Sequence, residues 1–170
     1  MTLRFDLHCH SNNSDGVLTS AELALRAKNN GVDVWALTDH DEVKGIPAAR
    51  AAAQKLGLDY VTGVEISITW SNKTIHIVGL HFDETNPALV KGLAQIRQSR
   101  QERAHMIDAR RDSLGIHHAY DGALTYVASP EMFFSTLFAC YYLNPGYGPD
   151  LNDFFSRYLS VVRPSNVAHQ

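Results

Sequence analysis

Two histidines one residue apart, His8 and His10, stand in the stretch Asp6-Leu7-His8-Cys9-His10-Ser11, and Ser14-Asp15-Gly16 follows. Residues two apart on a strand project from one face, so both imidazoles aim at one point. Imidazole is the commonest metal ligand among side chains, and Asp15 adds a hard oxygen donor. Taken alone, the pair is better explained as two hydrogen-bonded histidines at a strand end. Further on come His40 in Thr38-Asp39-His40-Asp41, Glu65 in Gly63-Val64-Glu65-Ile66-Ser67, and His76 in His76-Ile77-Val78-Gly79. Each has a bland reading as a loop histidine, a solvated carboxylate or a strand residue. A multi-metal centre explains them together.

The surrounding pattern shows how such residues could meet. Leu3-Arg4-Phe5 alternates as a short strand does. Thr19-Ser20-Ala21-Glu22 is a capping box, opening a helix from Glu22 to Asn30 that buries Leu23, Ala24 and Ala27 and stops at Gly31. Val32 to Leu37 is an apolar run of the kind that forms a buried parallel strand. Pro47 opens a second, alanine-rich helix that runs to Leu56 and closes at Gly57. Leu58 to Val61 begins a third strand that reaches Glu65, and Ile66 to Trp70 with Thr74 to Leu80 makes a hairpin around Ser71-Asn72-Lys73. The alternation predicts an α/β domain with parallel strands, whose ligands gather at the carboxyl ends of strands. His8, His10, His40 and Glu65 all fall at such ends.

Composition narrows the class. The chain has 170 residues, 45% of them hydrophobic, and a net charge of −3. That suits one soluble globular domain and gives no general attraction to double-stranded DNA or an anionic membrane. No apolar run reaches the length of a membrane span, and Asp6 within the first apolar segment argues against a signal peptide. The expected location is the cytoplasm. Cys9 and Cys140 read as ordinary thiols.

In order and spacing, these five motifs resemble the first motifs of the polymerase and histidinol phosphatase (PHP) domain family. The nearest likeness is to the bacterial branch that hydrolyses nucleoside 3′,5′-bisphosphates and trims RNA from its 5′ end. The resemblance implies a distorted seven-stranded β/α barrel and a site of two or three divalent ions, Mn, Zn or Fe. It implies that His8, His10 and Glu65 bind one ion, Asp15 and His40 a second, and Glu65 with His76 a third, Glu65 bridging. A hydroxide held by the ions would attack phosphorus, so no protein nucleophile is needed. The implied substrate is a small phosphorylated nucleotide or a short RNA end.

The second half departs from that pattern. Pro87 opens a helical stretch to about Leu114, and shorter helices are expected near Pro130 to Leu143 and Asp150 to Leu159. Residues 1–86 thus read as the metal-binding β/α part and 87–170 as a helical insertion, with the rest of the barrel absent. Arg100 and Arg103 resemble positions in the family's insertion that would meet a phosphate, although a solvated helix face is the commoner reason for such charges. Where the insertion usually carries an Arg and a His, this chain has Ser129-Pro130-Glu131-Met132-Phe133-Phe134. The family's later His and Asp-x-His ligands would follow Gln170.

Four or five strands cannot close a barrel. The expectation is therefore a fragment, an open sheet covered by helices, or a homo-oligomer in which another copy lends the missing elements. Functionally, the leading expectation is a metal-dependent phosphoesterase. The alternatives are a non-catalytic metal-binding relic or interaction module, and a phosphatase for another substrate such as histidinol phosphate.

Overall fold

The apolar run that reads as a buried strand forms β2 (Val34–Leu37), in which Trp35, Ala36 and Leu37 are all buried. A strand covered on both faces shows no polar alternation, and this one does not. In the computed structural model, which describes residues 2–71, 73–112 and 119–125, β1 (Phe5–Asp6) and β3 (Asp59–Trp70) flank β2 and run parallel to it. With β4 (Lys73–Leu80) they form a four-stranded sheet in the order β1-β2-β3-β4.

Two helices connect the parallel strands, and both end where local chemistry says they should. At the start of α1 (Ser20–Asn29), Thr19 Oγ1 accepts from the Glu22 amide while the Glu22 carboxylate accepts from the Thr19 amide, a reciprocal capping box. α2 (Ile46–Leu56) carries Pro47 in its first turn and stops at Gly57, whose φ of 64° is left-handed. Ala24, Ala27, Ala49 and Ala53 from these helices pack with Trp35, Leu37 and Leu58 into one buried cluster. Alanines allow the helix backbones to approach the sheet closely, and each large side chain buried there contributes about 1.5–3 kcal/mol.

One expectation needs correction. The strand reaching Glu65 and the hairpin arm beginning at Ile66 are a single strand, β3, so Glu65 lies within a strand and not at its end. Gly63 permits this, because a Cβ there would sit 2.6 Å from the Leu37 carbonyl oxygen. Regular pairing of β3 with β2 stops at Leu37↔Thr62, and beyond it only the isolated bridge His40↔Glu65 joins the two segments. Glu65 is thereby level with the carboxyl end of β2, which is the property the site requires.

The chain divides into two compact units, residues 1–70 with 74–96, and residues 71–73 with 97–170. The division falls inside α3 (Pro87–Asp112). In the second unit, α4 (Ala119–Leu124), a short helix with no strong signal in the sequence, receives support at Tyr120, whose amide donates to Asp108 Oδ1 at 2.8 Å and whose ring lies tilted against that of His105, 4.3 Å between centroids. The helices expected near 130–143 and 150–159 lie outside the described residues. Among the described residues, no helix is long and apolar enough to cross a membrane.

Candidate metal centre

The site is built where the ladder between β1, β2 and β3 thins out. Past β1 the chain stays beside β2, with Thr38 N donating to the Cys9 carbonyl and Cys9 N donating to Thr38 Oγ1. His8 and His10 lie past the end of β1 and not within the strand as their spacing predicts, yet their Nε2 atoms stand 3.1 Å apart. The chain then turns tightly, with the amides of Ser14 and Gly16 both donating to the Ser11 carbonyl at 3.0 Å. Any side chain at Gly16 would collide with the His10 carbonyl. The turn places Asp15 beside His10 and His40.

Glu65 is the centre of the cluster. Its Oε2 lies 2.7 Å from His8 Nε2, 3.1 Å from His10 Nε2 and 3.7 Å from His40 Nε2, while its Oε1 lies 3.5 Å from His76 Nδ1. Asp15 faces the same group, Oδ1 being 3.6 Å from His10 Nδ1 and Oδ2 3.7 Å from His40 Nε2. The rings of His10 and His40 stack at 4.6 Å between centroids, and His40 meets His76 edge-on at 4.9 Å. All six residues singled out by their spacing are thus brought together. Three sets of them, His8-His10-Glu65, His10-Asp15-His40 and His40-Glu65-His76, have donor atoms within 4.8 Å of one another.

Those separations fit divalent cations. Donors about 2.1 Å from an ion at tetrahedral angles are about 3.4 Å apart, close to the spacing around Glu65 and Asp15. His10 Nδ1 is buried and makes no hydrogen bond to the protein among the described residues. Burial lowers the pKa of His40, against the pull of Asp15 and Glu65, and so favours the neutral form that a ligand must adopt. Burial is graded across the cluster: the Glu65 side chain is 7% exposed, whereas that of His8 is 53% exposed. A buried anion ringed by imidazoles, with an open rim, can hold cations and leave one side to a ligand.

Asp39 and Asp41 flank His40, where a carboxylate can orient an imidazole or cap the helix that follows, and both reach neighbouring segments. Asp39 is buried and accepts from Ser11 N, Ser11 Oγ and Ser14 Oγ at 2.6, 2.7 and 2.8 Å. Asp41 accepts from Ser67 N at 2.7 Å, and the N-cap of α2 is Gly45. The serines around Asp15 and after Glu65 are the only signal that could have pointed there. Arg100 and Arg103 lie on α3 in the second unit. Arg100 is buried and Arg103 half-buried, unlike the solvated face that such charges usually form. His81, beyond the His76 motif, is exposed.

Residues 6–144 match the PHP domain. The chain is 42% identical over 165 residues, 97% of its length, to a 3′,5′-nucleoside bisphosphate phosphatase of Chromobacterium violaceum, of which it covers 58%. It is 49% identical over 123 residues, 72% of its length, to a 5′-3′ exoribonuclease of Haemophilus influenzae, of which it covers 45%. The solved structure of an amidohydrolase from Chromobacterium violaceum superposes with a TM-score of 0.84 at 41% identity, over 98% of this chain and 59% of that one. The chain therefore spans about half the length of the curated relatives it matches.

Proposed function

This chain belongs to the PHP domain family, and we propose that it carries the metal-holding part of a phosphoesterase acting on a nucleoside 3′,5′-bisphosphate or on the 5′ end of short RNA. The observation that carries the reading is Glu65, a nearly buried carboxylate with four imidazole nitrogens within 3.7 Å of its two oxygens. An arrangement of one anion and several neutral donors suits Mn, Zn or Fe. The substrate class is taken from the relatives, which are named for activity on nucleoside bisphosphates and on RNA 5′ ends.

Ligand arithmetic supports two ions. A neutral imidazole offers one lone pair, so His10 and His40, each shared between two of the three sets, can each serve one ion. A carboxylate can bridge. We therefore assign His8, His10 and Glu65 to one ion, and His40, His76 and Glu65 to a second. Asp15 adds an oxygen beside either, and a third ion at Asp15 would have to take His40 from the second. Divalent ions bound there would supply Lewis acidity, a water acidic enough to attack at neutral pH, and charge neutralisation on phosphate oxygens. The protein's own contribution is to hold the donors at fixed spacing and to leave the His8, Asp15 and His76 side open for a phosphate.

The test is phosphate release from a nucleoside 3′,5′-bisphosphate and shortening of a 5′-phosphorylated oligoribonucleotide, with and without Mn²⁺. Turnover that depends on the metal and disappears in Glu65→Ala supports the reading. Metal binding without turnover on either substrate contradicts the activity, and no metal binding contradicts the site.

A further inference from the structure

We infer that Asp39 and Asp41 are positioning residues: on either side of His40, they tie down two neighbouring segments that carry donor groups. The inference rests on reading the six residues as a metal centre.

The donors come from four segments: those following β1 and β2, the middle of β3, and β4, which carries His76. Regular strand pairing has ended where they meet. What remains of the backbone ladder is sparse: Asp41 N donates to Glu65 O, and Glu65 N donates to Asp39 O. Side-chain bonds supplement it, and they diverge from the two aspartates.

Asp39 reaches the first segment. Its Oδ1 accepts from Ser11 N and Ser14 Oγ, and its Oδ2 from Ser11 Oγ. Ser11 follows His10 and Ser14 precedes Asp15, so one buried carboxylate brackets the turn between two donors. Asp41 reaches the third segment through Ser67 N, two residues past Glu65, and Ser67 Oγ is 3.4 Å from His76 Nδ1. Asp41 has a left-handed φ of 53°, a conformation that Asp and Asn tolerate better than most residues. That turn lets two aspartates separated only by His40 serve opposite neighbours. Both need to be acceptors, and Asp41 also needs the backbone tolerance.

This organisation separates ligation from spacing. His40 supplies a nitrogen, and its neighbours fix how far the His10-Asp15 turn and the Glu65 strand stand from that nitrogen. Removing such a partner typically lowers metal affinity 10–100-fold.

The test is a Co²⁺ titration of the full chain, following both affinity and the visible absorption bands, for the original protein, Asp39→Ala, Asp39→Asn, Ser14→Ala and the core variant Leu58→Ala. The expected result has three parts. Folded Asp39→Ala binds Co²⁺ at least about tenfold more weakly with altered bands. Asp39→Asn, which keeps an acceptor oxygen and can donate to Ser11 Oγ, recovers most of the loss. Leu58→Ala lowers the melting temperature without changing the bands. If the original protein binds Co²⁺ and Asp39→Ala binds it with the same affinity and spectrum, the positioning role is overturned while the metal centre stands. If the original protein binds none, the metal centre itself fails and takes the inference with it. Should circular dichroism show Asp39→Ala unfolded, Ser14→Ala decides: a weaker, spectrally shifted site supports the role, and an unchanged one overturns it.

Discussion

The two ends of the sheet's carboxyl half are held by different forces. Around Trp35 and Leu37 the contacts are apolar, made with the alanine faces of α1 and α2. Three residues further on, around Asp39, His40 and Asp41, nearly every contact is a hydrogen bond or a carboxylate facing an imidazole. Apolar packing is proportional to area and indifferent to direction, so it sets how stable the unit is. Hydrogen bonds are directional, so they set where the donor atoms stand. The site is therefore expected to fail separately from the fold, and each prediction below sharpens or breaks that separation.

The largest effect on the polar side belongs to Glu65→Ala. It removes both oxygens that face the imidazoles, and metal binding measured by titration calorimetry should become undetectable while the circular dichroism spectrum is retained. Binding at the original stoichiometry would show that the centre lies elsewhere. On the apolar side, Leu58→Ala leaves a cavity in the main cluster. Chemical denaturation should show a loss of about 2–4 kcal/mol, with metal affinity unchanged in the folded protein. A parallel fall in affinity would mean that the two regions are one cooperative unit.

Smaller again is Thr19→Ala, which deletes the cap of α1. It should cost about 1 kcal/mol in the same denaturation experiment and leave phosphate release untouched. The smallest effect is read at Cys9, which sits at the seam. Its Sγ accepts from Trp35 Nε1 at 3.2 Å and donates to the Ala36 carbonyl at 3.4 Å. Burial pushes its pKa up to about 12, so the thiol stays protonated. Peptide mapping after iodoacetamide treatment at pH 8 should find Cys9 unmodified in the folded chain and modified in denaturant. Rapid labelling of the folded chain would show that the seam opens.

Much of this was readable in the sequence where the cause is local. His8 and His10 converge as their spacing of two implies, and Thr19 with Glu22 and Pro47 with Gly57 mark the helix ends by their own chemistry. The run from Val32 to Leu37 announces a buried strand because only Asp33 interrupts it. The remainder depends on contacts that spacing along the chain does not encode. β3 looked divided at Glu65, whereas it runs unbroken to Trp70, with Gly63 at its close approach to Leu37. Asp39 and Asp41 were ambiguous because their partners, Ser11 and Ser67, are 28 and 26 residues away. The six candidate residues stood out because they share one chemistry, whereas their division between ions came only from the family resemblance.

The most direct test of the central claim is X-ray diffraction from crystals of this chain soaked in Mn²⁺, with anomalous scattering used to locate the ions. The account predicts two anomalous peaks, one on each side of the Glu65 carboxylate, the first bounded by His8 and His10 and the second by His40 and His76. A single peak that leaves Glu65 unbridged, or peaks away from these five residues, would contradict it.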